Sequence, residues 1–147
     1  MEFYKIKLQM AREKAINLDG KIILKPIDIV NFINSLENYS VACNEYVVVI
    51  ALNTKNEIIA YSEISSGSIN LCNIDIPSIF RVLFATNGNK FILVHNHTSG
   101  NSKPSQIDID TTERIKKAAL IIGLDFLDHI IIGDNEYTSI FSEIKNI

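Results

Sequence analysis

Two histidines two residues apart, His95 and His97, close a short apolar run, Phe91-Ile92-Leu93-Val94. The run reads as a buried strand, and side chains at i and i+2 of a strand share a face, so both imidazoles should project the same way from its end. Further on, Ser105-Gln106-Ile107-Asp108 follows Pro104 and precedes a long stretch without helix breakers. That is the pattern of a helix start in which a serine and an acid form a capping box. Two imidazoles from a strand and one carboxylate from the first turn of the next helix make a three-ligand set suited to zinc (Zn2+), with the fourth tetrahedral position left for water. Taken singly, each histidine is more often an ordinary hydrogen-bonded polar residue, and Ser105 with Asp108 an ordinary cap. Capping, however, gives no reason for two histidines upstream.

Hydrolysis at such a centre needs a carboxylate that takes a proton from water and delivers it to the leaving group. Glu63 is the candidate, an acid late in an otherwise buried-looking strand and four residues before Gly67, where an unpartnered carboxylate is costly. Glu57 falls at a hairpin turn and should point outward. Ser105 is expected to offer its hydroxyl to a developing oxyanion while capping its helix. His129, the third histidine, is expected to be structural or to support the site from behind rather than to ligate, paired with Asp128.

The pattern HxH, seven residues, Ser, two residues, Asp, with a glutamate upstream, resembles the JAMM motif of MPN-domain metalloproteases. More narrowly, His95-Asn96-His97-Thr98-Ser99-Gly100 and Pro104-Ser105-Gln106-Ile107-Asp108 resemble the bacterial RadC family, whose hallmark is HNHPSG followed by PSxxD; Thr98 stands where the family has proline. Leu127-Asp128-His129-Ile130-Ile131-Ile132-Gly133, with Tyr137, Ser139 and Phe141 downstream, is similar to a second RadC signature. Glu63-Ile64-Ser65-Ser66-Gly67-Ser68 is similar to the segment bearing the family's acidic residue, whereas Pro77-Ser78-Ile79 departs from the family's Pro-Arg-Glu. The resemblance covers about Glu45 to Phe141. It implies a JAB/MPN-like fold, zinc held by His95, His97 and Asp108, catalytic roles for Glu63 and Ser105, and cleavage of a peptide or isopeptide amide in a peptide or protein substrate. Full-length RadC proteins usually carry an additional N-terminal helix-hairpin-helix region; the expectation is that this sequence has no room for one and that DNA contacts attributed to that region do not carry over.

The elements that must position these residues follow from periodicity and punctuation. Pro26 opens a helix with Ile29, Val30, Ile33 and Leu36 at helical spacing, ending near Asn38. Glu45 to Leu52 is rich in β-branched residues and reads as a central strand covered on both faces. After a turn at Asn53-Thr54-Lys55-Asn56, Glu57 to Ile64 should return antiparallel to it, followed by a small-residue loop from Ser65 to Ser68. A helix is expected from Ile76 to Thr86 with Ile76, Ile79, Phe80, Leu83 and Phe84 as its apolar stripe and Gly88 as its stop. The Ser105 helix should run to Ile122, with Ile115, Ala118, Ala119 and Ile122 inward and Gly123 at its end. His129 to Ile132 reads as a strand, joined at Asp134-Asn135 to a hairpin partner from Tyr137 to Phe141. The result is an α/β (α+β mixed) fold in one domain over 1–147, a mixed, mainly antiparallel sheet flanked by helices. Its core should span about 26–142, with 1–25 as an N-terminal segment in which Lys5 to Met10 alternates like a strand and Leu18-Asp19-Gly20 marks a turn.

Composition narrows the alternatives. In 147 residues, 47% hydrophobic and 21% charged, the chain has the profile of a globular domain able to bury a core without staples. Fourteen basic against seventeen acidic residues leave a formal charge of −3, which provides no chain-wide attraction to nucleic acid. A non-catalytic or DNA-associated accessory protein with a retained metal site, the alternative suggested by the DNA-repair label of RadC relatives, would instead show a basic surface. A zinc deaminase would need a PCxxC pair, and Cys43 and Cys72, the two cysteines, form none. With two thiols and no secretory leader, the expectation is a cytoplasmic protein with both cysteines inert in the core. No apolar run approaches the roughly 20 residues a membrane helix needs.

Overall fold

β-branched residues decide the middle of the sheet. In β1 (Glu45–Leu52) every residue from Val47 onward is buried, as expected of a strand covered on both faces. β1 pairs antiparallel with β2 (Ile58–Gly67) on one side and with β3 (Lys90–Asn96) on the other. β4 (Asp125–Ile132) runs parallel to β3, and β5 (Tyr137–Ser139) returns antiparallel to β4, giving the order β2-β1-β3-β4-β5. A parallel pair requires a crossover connection, and α3 (Gln106–Ile122) provides it. This computed structural model describes residues 22–67 and 74–144; the expected strand at Lys5 to Met10, the turn at Leu18 to Gly20 and Cys72 lie outside them.

Helices cover both faces of the sheet, which is thus the expected mixed, mainly antiparallel one. α1 (Pro26–Leu36) packs Ile29, Phe32 and Ile33 against Val48, Ile50, Val94 and Ile130. On the opposite face, α2 (Ile76–Thr86) and α3 bring Ile79, Leu83, Ile115 and Ala119 onto Val49, Phe91 and Leu93. Each such aliphatic side chain, fully buried, contributes about 1.5–3 kcal/mol. Because Ile92 and Val94 point toward α1 while Phe91 and Leu93 point toward α2 and α3, strand alternation sends His95 to the α2/α3 face.

Several local expectations are corrected. β2 continues through Ser65, Ser66 and Gly67, since Val47, Tyr46 and Glu45 supply pairing partners that override their loop-like composition. α1 stops at Leu36 and is followed by a short 3-10 turn at Tyr39–Val41. Beyond Ser139 the chain forms α4 (Ile140–Ile144) instead of continuing as a strand to Phe141. Asn87, with φ of 55°, takes the left-handed position that ends α2, ahead of Gly88. Phe84 and Ile122, expected inward, are 54% and 42% exposed, each falling at the solvent edge of its helix's apolar stripe. Cys43, expected in the core, is exposed in the segment before β1.

Candidate metal centre

The site forms where β3 ends and α3 begins. Asn96 is the last residue of β3, and the backbone N–H of His97 still donates to Ile132 O at 3.0 Å, so the parallel pairing with β4 carries the second histidine in register with the first. Ser105 caps α3 and Asp108 occupies its first turn. His95 Nε2 lies 3.0 Å from His97 Nε2 and 3.4 Å from Asp108 Oδ1, and His97 Nε2 lies 3.4 Å from Asp108 Oδ2. Zinc bonds of about 2.0–2.2 Å at tetrahedral angles set neighbouring ligand atoms roughly 3.4 Å apart. The three donor groups thus stand at spacings near those of a tetrahedral site and could hold a divalent ion. His95 is only 3% exposed, whereas His97 and Asp108 are 14% and 15% exposed, so the centre opens to solvent on their side.

Hydrogen bonds behind the donors determine which nitrogens are free. His97 Nδ1 stands 2.8 Å from the carbonyl oxygen of Asn101; a carbonyl only accepts, so the Nδ1 proton points there and neutral His97 keeps Nε2 bare. His95 Nδ1 stands 2.8 Å from His129 Nε2. His129 is wholly buried on β4 beside Leu93, and its Nδ1 lies 2.6 Å from Thr112 Oγ1 on α3. Its ring does not pair with Asp128, contrary to expectation. The Asp128 carboxylate accepts instead from the backbone N–H groups of His129 and Phe141, because successive side chains on β4 leave opposite faces.

Electrostatics follow from the same contacts. Burial alone would raise the Asp108 carboxyl, but the His95 and His97 rings beside it, which donate from Nε2 when they carry a second proton, outweigh it and hold the group well below the usual carboxylate range. The bond to Asp108 raises His97 above an ordinary imidazole against the opposing effect of burial, with Asn101 O and the charges of Asp108 and Glu45 adding to the rise. Burial pushes His129 well below 6.5, assisted by the neighbouring His95, so its ring is neutral. Ser105 is where expected. Its N–H donates to Asp108 Oδ2 at 2.7 Å and its hydroxyl donates to the same oxygen at 2.5 Å.

Glu63 stands elsewhere than the expected place. The β1–β2 register passes from Val47↔Ser65 to Val48↔Glu63, so Ile64 is an extra residue in a bulge. Ile64 packs with the α2/α3 core, and Glu63 pairs with Val48, which belongs to the α1 core. Its exposed carboxylate accepts from the hydroxyl of Tyr39, another residue of the α1 core, at 2.5 Å. The acid on the histidine face is Glu45, which the sequence reading passed over as the start of a strand. Val47 pairs with His95 at the end of the antiparallel register, and Glu45, two residues before Val47 on β1, is near enough for its charge to act on the His97 ring. Asn96 extends the pairing by side chain: its Oδ1 accepts from Tyr46 N–H at 2.7 Å and its Nδ2 donates to Asn44 O at 3.0 Å. The signal in the sequence was a charged residue beginning a strand bound to pair with the histidine strand.

The β4–β5 turn holds the loop between His97 and Ser105. Asp134 N–H donates to Gly100 O at 2.6 Å, Ser102 N–H to Glu136 Oε1 at 2.7 Å, and Ser102 Oγ lies 2.9 Å from Thr138 Oγ1. The two sequence signatures are thus two halves of one structure.

Comparison with known proteins gives a consistent result. The RadC-like JAB domain family matches residues 23–145. A UPF0758 protein of Staphylococcus aureus (strain bovine RF122 / ET3-1) is 41% identical over 118 residues, which is 80% of this chain and 51% of that protein. A UPF0758 protein of Desulforamulus reducens is 37% identical over 141 residues, 95% of this chain and 61% of that protein. The chain therefore spans about half to three fifths of the length of these curated relatives. Among the described residues, no helix is long and apolar enough to cross a membrane.

Proposed function

Because the chain belongs to the RadC-like JAB domain family, in a superfamily that includes metalloproteases, we propose that it is a zinc-dependent hydrolase of a peptide or isopeptide amide, with Glu45 as its proton carrier. The observation that carries this reading is the convergence of His95, His97 and Asp108, with the charge of Glu45 acting on His97. Zinc held by these three residues would lower the pKa of a water at its open position from about 15.7 to about 7.

The remaining chemistry belongs to the chain. Glu45 takes the proton of the attacking water and returns it to the leaving amine, a role worth about 10²–10⁴ in rate. Ser105 turns its hydroxyl from Asp108 Oδ2 toward the developing oxyanion, while its N–H stays on the carboxylate and keeps it oriented. His95 and His97 are held in place by their Nδ1 partners, and the polar loop from Thr98 to Lys103 borders the approach.

The test compares Glu45→Gln with Glu63→Gln on a panel of peptide and isopeptide substrates, with zinc content measured in parallel. Glu45→Gln should retain the metal and lose at least about 10²-fold in rate, whereas Glu63→Gln should stay within a few-fold of the parent. Full activity in Glu45→Gln would overturn the assignment, and absence of zinc from the purified parent would overturn the metal reading.

A further inference from the structure

One chain of hydrogen bonds behind the donors can be read in only one direction, and the reading starts from an atom that cannot donate. Thr112 Oγ1 lies 2.6 Å from the backbone carbonyl oxygen of Asp108 and 2.6 Å from His129 Nδ1. The threonine has a single hydroxyl proton, and a carbonyl oxygen only accepts. That proton therefore goes to Asp108 O, and Thr112 must accept from His129 Nδ1–H. A neutral imidazole protonated at Nδ1 has a bare Nε2. His129 Nε2, 2.8 Å from His95 Nδ1, then accepts, so the His95 proton sits on Nδ1. His95 Nε2 is left bare, directed at His97 and Asp108.

We infer that His129 and Thr112 are positioning residues that lock His95 in its metal-competent tautomer and couple it to the helix turn carrying Asp108. The relay runs from His95 on β3 through His129 on β4 and Thr112 on α3 to the backbone of Asp108 itself. Both relay side chains are wholly buried, so no water competes for these bonds and the tautomer is set by the protein. The two ligands most distant in the fold's connectivity are thereby tied to one frame: rotation of either disturbs the seat of the other. Partners of this kind behind a ligating histidine commonly govern about 10–100-fold in metal affinity. The inference rests on the reading of His95, His97 and Asp108 as metal ligands, yet the tautomer it requires exists with or without the ion.

Two measurements test it separately. In the metal-free, ¹⁵N-labelled parent protein above about pH 8, where free imidazole is neutral, long-range ¹H–¹⁵N correlations should show both His129 and His95 protonated at Nδ1. Protonation of His129 at Nε2 would overturn the relay, whatever the protein does with metal. Zinc affinity is then measured by chelator competition in His129→Phe, His129→Gln and Thr112→Val. His129→Phe should bind zinc about 10–100-fold more weakly, and His129→Gln, whose amide oxygen can accept where Nε2 did, should recover most of the loss. Thr112→Val should weaken binding and abolish the His129 Nδ1–H signal. Equal weakness of folded Gln and Phe variants would overturn the positioning role, and if the Phe variant does not fold, the Gln and Val variants decide. A parent that binds no zinc but shows the stated tautomers would fail the metal reading and leave the relay standing.

Discussion

Gly133 lies so close to Gly100 that a β-carbon at position 133 would collide with the Gly100 carbonyl oxygen and come within 2.8 Å of the Ser102 amide nitrogen. Both clashes are with backbone, which cannot turn aside as a side chain can. Gly133→Ala should therefore push the Gly100–Ser102 segment off the β4–β5 turn, with a stability loss of about 1–3 kcal/mol. Because Asn101 O holds the His97 ring, zinc affinity should fall as well. Thermal denaturation with chelator titration checks both, and an alanine variant with unchanged stability and affinity would show that the turn does not brace the site.

Asn96 bridges to β1 through both atoms of its amide, and it is almost fully buried. Asn96→Ala would remove the partners of Tyr46 N–H and Asn44 C=O at a cost of about 0.5–1.5 kcal/mol each. The strand start that carries Glu45 would loosen while His95, His97 and Asp108 stayed in place. The expected outcome is a lower midpoint in denaturant, retained zinc, and a reduced hydrolytic rate; loss of zinc together with unchanged activity per bound metal would contradict it.

How much of this was legible in the sequence depended on distance along the chain. His95, His97 and Asp108 could be read because strand alternation and the capping box are local rules, each complete within a few residues. Glu45 could not, since its approach to the histidines depends on antiparallel pairing between strands about fifty residues apart. The acid chosen instead, Glu63, was placed by its position late in a buried-looking strand and by resemblance, and neither foretold the bulge at Ile64 or the Tyr39 hydroxyl that holds its carboxylate on the α1 side. The partner of His129 was hidden for a similar reason. Asp128 is its neighbour in sequence, while the groups it meets, His95 and Thr112, come from another strand and a helix. Fold class was the easier inference, because the long β-branched run of β1 and the helical stripes of α1 and α2 each point to one layer.

Metal binding should be visible in stability alone. An ion that binds the folded chain and not the unfolded one adds about 2.7 kcal/mol at a free concentration one hundred times its dissociation constant. Zinc should accordingly raise the melting temperature of the parent, chelator should reverse it, and His97→Ala should remove the increment. A His97→Ala protein stabilised by zinc as strongly as the parent would place the ion somewhere else.

Tyr39 offers an alkaline readout of the α1 face that does not involve the metal ligands. Burial raises its hydroxyl well above 10, and the hydrogen bond to Glu63 and that carboxylate's charge raise it further. A group whose folded pKa lies above its unfolded value stabilises the fold fully below the unfolded pKa, about 10 for tyrosine, and loses that contribution as pH climbs toward the folded value. Tyr39→Phe should cost about 0.5–1.5 kcal/mol at neutral pH, and the gap between parent and variant should narrow above about pH 10. In phenolate absorbance, the parent minus Tyr39→Phe difference should show no transition near 10 while the protein is folded. A difference titration centred there would mean that the hydroxyl is open to water and that Glu63 does not hold it.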